Sequence, residues 1–322
     1  MSADRRVAVG IEIGGSKTTV ALVDSSGHVH QRSHAKTLRG RPAAATLEPY
    51  LRAVDAMLAY ARSSDWQVSG IGISIPGTLD YTRRRPFLIP LLPSLSNFPL
   101  CDFLENRYEL PTHLQVDVDA ALLGEHRFGA GRGFKRLLYL AVEAVVGASL
   151  VINGQVEHPT QQYIGHICHL NVSSSGPRCS CGKQGCINTM VSMDAIQKRV
   201  QRALRRGEEG SLVQRLLGRE YFSPQLLAEE ALRGDTLALQ VYGEISRCVS
   251  AAIAKYIDLF EPNVLILGGI LGAQYCASDL LLSRVRGSLI VRSSSRVCSM
   301  VELVPAVLGS DAELAGAVLP LL

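Results

Sequence analysis

A two-lobed α/β protein is the fold this sequence predicts, and three observations predict it. The chain has 322 residues, more than one hydrophobic core usually supports. A strand, turn, strand and helix pattern near the N-terminus is repeated in the second half. No low-complexity linker and no heptad repeat breaks that pattern. Two related lobes with a cleft between them are therefore expected.

The first strand alternates over Val7–Ile13; Gly14-Gly15-Ser16-Lys17 then leads into a second strand over Thr18–Val23. Two strand-forming runs joined by a Gly-Gly turn predict a β-hairpin. Ser25-Ser26-Gly27 turns the chain towards a third strand near Val29–Ser33. Leu47, Leu51, Val54 and Leu58 then share one face of a helix reaching to about Ala61. A buried strand over Gly70–Ile75 ends at Pro76-Gly77, and a proline-broken stretch reaches Pro99. A short helix near Phe103, a strand over His113–Val116 and a helix over Ala120–Phe128 follow. In the second half, strands over Leu137–Val142 and Ser149–Ile152 flank a loop, with a hairpin turn at Asn153-Gly154. Helices dominate Met193–Phe260, where Val241, Ile245, Val249, Ile253 and Ile257 form a stripe that must be buried. Pro262 stops this helix before an apolar strand, Val264–Leu267, that closes in Gly268-Gly269. A strand over Val301–Val304 and a helix from about Asp311 to Leu321 complete the chain.

Composition narrows the function classes. Hydrophobic residues at 47% and charged residues at 19% suit a packed globular chain rather than a disordered one. The net charge of +4 comes from 27 Arg against 6 Lys. The tightest basic run, Arg83–Arg85, follows a turn beside Pro86 and reads as a solvated loop, not a phosphate-reading patch. No stretch approaches the ~20 apolar residues that span a bilayer. Met1–Arg6 is short and polar and runs straight into a strand, unlike a signal peptide. A cytoplasmic protein without membrane attachment is expected.

Three of the eight cysteines crowd into Cys179, Cys181 and Cys186. In a reducing compartment such clustering reads as metal binding rather than disulfide bonding. Three thiolates and one imidazole, that of His166, make a tetrahedral zinc set, and Gly176, Gly182 and Gly185 let the backbone fold tightly enough to converge the sulfurs. Cys168 is the rival fourth ligand, and buried free thiols are the competing reading. Four protein ligands leave no open position, so the zinc is expected to be structural.

The string Tyr163-Ile164-Gly165-His166, then Gly176, then Cys179-Ser180-Cys181-Gly182-Lys183-Gln184-Gly185-Cys186 resembles the zinc signature of the ROK family of sugar kinases and sugar-responsive repressors. Gly10-Ile11-Glu12-Ile13-Gly14-Gly15-Ser16-Lys17 is similar to that family's first phosphate loop. Gly70–Gly77, Asp117–Glu125, Gly268-Gly269 and Gly309–Gly316 fall in the family order, so the resemblance spans essentially the whole chain. It implies an actin-like ATPase (hexokinase-like) fold whose two lobes close on ATP with magnesium and a sugar. Residues 1–118 with about 310–322 would form the smaller N-terminal lobe and 119–309 the larger one with the zinc. Gly14, Gly15, Ser16, Lys17, Gly147, Gly268 and Gly269 would bind nucleotide, through backbone N–H groups aimed at phosphate; an ordinary tight hairpin turn is the other reading of Gly14–Lys17. Gly77, Asp117, Tyr163, His166 and Asn188 would line the sugar site. Asp117 matches the general base, which accepts a hydroxyl proton as that oxygen attacks the γ-phosphorus. Asp119 competes for the role, although its spacing suits a helix N-cap. A homodimer is the family expectation.

Several positions depart from the family pattern. The asparagine before the catalytic aspartate is Val116, and the one two residues after it is Asp119. The second phosphate loop, glycine-rich in the family, reads Glu143-Ala144-Val145-Val146-Gly147-Ala148-Ser149. A carboxylate there repels polyphosphate, and each lost glycine adds a Cβ where backbone would approach it. Two sugar-binding glutamates are replaced by Tyr163 and Asn188. Two functions are therefore expected to compete: an ATP-dependent kinase with an unusual acceptor, and a kinase-derived sugar sensor or scaffold without phosphoryl transfer. The family's repressors carry a helix-turn-helix before the kinase-like part; this sequence starts at the first strand, so direct DNA binding is not expected.

Overall fold

In the computed structural model, residues 5–15, 17–157, 167–216, 223–269, 278–292 and 300–322 are described. Alternating apolar residues draw the N-terminal segments into a meander of β1 (Arg6–Ile13), β2 (Lys17–Asp24) and β3 (Val29–Lys36). Helix α1 (Ala43–Ser63) follows, starting four residues before the apolar stripe does, and buries Leu47, Tyr50, Val54, Met57 and Ala61. Strand β4 (Gln67–Ile75) runs parallel to β1. A small hairpin of β5 (Thr78–Leu79) and β6 (Pro86–Leu88) occupies the proline-broken stretch. Helix α2 (Leu100–Tyr108), strand β7 (Thr112–Val116) and helix α3 (Asp117–Phe128) come next.

The second half opens with β8 (Leu137–Val142), β9 (Val146–Ile152) and β10 (Gln155–Val156). Helices α4 (Ile187–Val191), α5 (Met193–Arg205), α6 (Ser211–Leu216), α7 (Pro224–Leu232) and α8 (Thr236–Phe260) follow. Then come β11 (Val264–Gly269), α9 (Ser278–Arg292), β12 (Glu302–Pro305) and α10 (Ala312–Val318). The stripe on α8 is buried throughout: Val241, Ile245, Val249, Ile253 and Ile257 all lie in the core that also holds β8 and β11.

The two halves build one sheet each, in the same pattern: β3-β2-β1-β4-β7 and β10-β9-β8-β11-β12. In each, an antiparallel hairpin is extended on one side by two parallel strands. The chain divides into two compact units, Met1–Gly133 with Ser310–Leu322, and Phe134–Glu157 with Ile164–Gly309. This moves the expected boundary at residue 118 to the far end of α3. The reason is a close helix crossing: a Cβ on Gly124 would strike the Ala312 carbonyl, and one on Gly316 the Ala120 carbonyl. Bare glycine surfaces let α3 and α10 touch backbone to backbone, which ties α3 to the first unit. Among the described residues no helix is long and apolar enough to cross a membrane.

Candidate active site and metal centre

Strand β7 lies parallel to β4, with Ile75 opposite Val116, so its end delivers Asp117 to the carboxyl edge of the parallel strands, where α/β folds place reactive groups. Asp117 is the first residue of α3, three residues before the expected start, and Val116 is an N-cap without a side-chain bond. One carboxylate oxygen of Asp117 accepts from the Val118 N–H at 2.7 Å. Asp117 and Asp119 both stand in the first turn, where the helix dipole favours negative charge. Asp119 is thus not the N-cap that its spacing suggested. It pairs with Arg83 at 3.4 Å instead. Gly77 has φ +112°, and a Cβ there would strike the Leu88 carbonyl; its glycine is required by the approach of β6.

The β1–β2 turn is held from the segment after β3. The Gly14 N–H donates to the Lys17 carbonyl at 3.0 Å. The Gly14 carbonyl accepts from the Thr37 hydroxyl at 2.8 Å, and the Gly15 carbonyl accepts from the Arg39 Nε–H at 2.6 Å. Lys17 is exposed, so its ammonium is accessible beside a turn that a guanidinium already braces. Ser16 lies outside the described residues.

The matching turn of the second sheet is shorter than expected. Val142 pairs with Val146 and Ala141 with Gly147, so only Glu143, Ala144 and Val145 form the turn, and all three are exposed. Gly147 is a ladder residue rather than a loop residue. Gly268 and Gly269 end β11 opposite Ala141 and Val142, and a Cβ on Gly269 would stand 2.8 Å from the Glu143 Cγ. Asn188 braces this hairpin: its side-chain oxygen accepts from the Val146 N–H at 2.9 Å.

The three clustered cysteines converge, together with an imidazole. His169, Cys179, Cys181 and Cys186 bring one ligand atom each to within 4.8 Å of one another. The Cys181 and Cys186 sulfurs are 3.6 Å apart, and the Cys179 sulfur is 3.3 Å from His169 Nδ1. Around one tetrahedral zinc, with bonds of about 2.3 Å to sulfur and about 2.0 Å to nitrogen, such atoms stand roughly 3.5 to 3.8 Å apart. The donor set and its spacing therefore fit zinc. A knuckle makes the convergence: the Cys179 N–H donates to the Lys183 carbonyl at 2.8 Å and the Gly182 N–H to the Cys179 carbonyl at 3.0 Å. Burial opposes ionisation of Cys179, but hydrogen bonds from Cys181, His169 and Cys186 outweigh it and bring the thiol down to about 6. Burial and the neighbouring Cys181 and Cys179 sulfurs push Cys186 up to about 12. Cys168 is buried and outside the cluster. The expected ligand His166, like Tyr163, lies outside the described residues.

The ROK family model matches residues 8–321. The chain belongs to the ROK family. Within it, the sequence is 27% identical over 312 residues to a glucokinase of Thermotoga maritima, covering 96% of this chain and 95% of that one. It is also 27% identical over 223 residues to the DNA-binding transcriptional repressor Mlc of Escherichia coli K12, covering 69% of this chain but 53% of the repressor. A ROK glucokinase of Streptomyces griseus, solved with glucose and AMPPNP, superposes with a TM-score of 0.80 at 27% identity and covers 97% of both chains. A ROK transcriptional regulator, a homologue of the E. coli MLC protein, shares the fold with a TM-score of 0.88 at 24% identity, over 98% of this chain and 77% of that one. ROK kinases and ROK repressors are thus both among its relatives.

Within this ROK scaffold, five contributors escaped the sequence reading: Thr37, Arg39, Arg83, Gln115 and His169. Thr37 and Arg39 follow a strand without any motif. Arg83 lies in the basic run taken for a solvated loop, yet its side chain is 20% exposed. His169 had a faint signal as a second histidine in the cysteine segment, but the short 3₁₀ turn Ile167–His169 that presents it has no periodicity to betray it.

Proposed function

We propose that this ROK-family chain transfers the γ-phosphoryl group of ATP to a hydroxyl of a sugar or sugar derivative, on an actin-like ATPase scaffold. The placement of Asp117, the first residue of α3 at the end of β7, is the observation that supports this best. Asp117 takes the proton of the acceptor hydroxyl while that oxygen bonds to the γ-phosphorus, and the bond to the β–γ bridging oxygen breaks to release ADP. In the turn braced by Thr37 and Arg39, the Gly14 N–H is taken by the Lys17 carbonyl, and the Gly15 N–H is the backbone donor offered to phosphate. Magnesium, bound with ATP, would supply charge neutralisation on the phosphates. In the second unit His169, Cys179, Cys181 and Cys186 hold a structural zinc.

A second reading has its own support. The exposed turn Glu143–Val145 carries a carboxylate where phosphate would sit, which favours a sugar-binding sensor without phosphoryl transfer. One titration separates the two. Kinase function requires magnesium-ATP to bind clearly more tightly than adenosine, and some acceptor in a broad sugar panel to drive ADP release. Absence of measurable magnesium-ATP affinity at millimolar concentration leaves the sensor.

A further inference from the structure

Arg83 is the middle residue of a basic run, yet it is built into the fold. It sits in the turn between β5 and β6 with φ +55°, a left-handed conformation that side chains other than glycine adopt at a cost. Asp80 holds that turn. Its carboxylate accepts from the backbone N–H of Arg84 at 2.9 Å, from that of Arg85 at 3.1 Å and from the Thr82 hydroxyl at 2.5 Å. The Arg83 N–H donates to the Asp80 carbonyl at 2.9 Å. The turn thereby directs a largely buried guanidinium onto two acceptors, the Gln115 side-chain oxygen at 2.5 Å and the Asp119 carboxylate at 3.4 Å. Gln115 is 4% exposed. These two residues are the second before and the second after Asp117, one on β7 and one on α3.

We propose that Arg83 is a positioning residue for Asp117: it clamps the β7–α3 junction from both sides, so that the carboxylate between the two anchor points is held where an acceptor hydroxyl must lie. One terminal nitrogen, Nη2, reaches both acceptors at the end of a stem longer than that of lysine, and its charge assists both bonds. Arg83 also offsets one of two carboxylates crowded into the first turn of α3. The strained φ of Arg83 is then explained by what the side chain reaches. The clamp is a feature of the first unit alone; only the role given to Asp117 rests on the kinase reading above.

The test uses the full chain, with Arg83→Gly as the first variant. Glycine is at home at positive φ, so the turn held by Asp80 persists and the side chain alone is lost. The expected result is a kcat lower by about 10- to 100-fold, as misplacement of a catalytic group produces, with the acceptor KM little changed. Arg83→Lys recovers part of the loss, and Arg83→Gly combined with Asp119→Asn falls short of the sum of the two single effects, because both act on one contact. Amide hydrogen exchange at 116–119 is expected to quicken in Arg83→Gly. Unchanged kcat with unchanged exchange overturns the proposal, and so does full recovery with lysine, which reduces Arg83 to a charge. Wild-type protein without turnover on any acceptor removes the kinase reading instead, and the exchange measurement then decides the clamp by itself.

Discussion

The β1–β2 turn and the β8–β9 turn occupy the same place in two sheets of the same strand order, and their chemistry is opposite. The first contains Gly14 and Gly15, which carry no side chain and whose carbonyls are both engaged, by Thr37 and Arg39. The second is Glu143-Ala144-Val145, exposed, with a carboxyl group and an apolar side chain at the tip. Ladder hydrogen bonds shape both hairpins equally well, so the difference is not one of folding. It lies in what each turn allows to approach: backbone N–H groups welcome phosphate, whereas a carboxylate repels it unless a cation intervenes.

The largest expected effect separates the two units by metal. Chelation, or Cys181→Ser, should lower the thermal stability of the second unit severely, since a structural zinc contributes on the order of 10 kcal/mol in small sites. The cooperative core of β1, β4 and α1 should be spared. Calorimetry and metal analysis check this: about one zinc per chain is expected, and a metal-free protein melting like the native one ends the idea. Next comes Asp117→Asn, expected to cut turnover by ~10²-fold or more while sugar binding holds, because a general base contributes in the transition state. Near-normal turnover in that variant would move the role to another group.

The third prediction makes the second turn resemble the first. Glu143→Gly removes the carboxylate, and magnesium-ATP affinity should rise about tenfold, or ~1.4 kcal/mol, as read by calorimetric titration. Unaltered affinity would show that the turn stays clear of phosphate. The smallest effect concerns the β5–β6 hairpin, for which the second sheet has no counterpart among the described residues. Burial tends to raise the Asp80 carboxyl, but hydrogen bonds from Thr82, Arg85 and Arg84, with the Arg85 charge, hold it below its ordinary 3.8. A lowered folded-state value stabilises the protein above the unfolded one and is lost as pH falls through the folded one. Melting temperature should therefore drop as pH goes below about 3.8, and Asp80→Asn should flatten that part of the profile.

Much of the fold was legible because its signals are local. The Gly-Gly turn between alternating strands marked the first hairpin, the five-residue stripe on α8 marked a buried helix, and the cysteine spacing marked three sulfurs that converge. Each depends on residues a few positions apart, over which hydrophobic period and turn chemistry act directly. The start of α3 was misplaced because Asp119 has the look of a cap, and a partner 36 residues away, Arg83, claims it. The three sulfurs were legible in their spacing, whereas the approach of His169 Nδ1 to the Cys179 sulfur is a contact between segments ten residues apart that no local pattern marked.

Chain order thus carried the family and the doubled sheet, both of which are written in contiguous motifs. Tertiary packing decided where the first unit ends, that His169 joins the thiols and what a buried arginine holds. Such choices rest on distances between segments far apart in the chain, such as the glycine crossing of α3 and α10. Those distances exist only once two cores have formed, so no local pattern of residues encodes them.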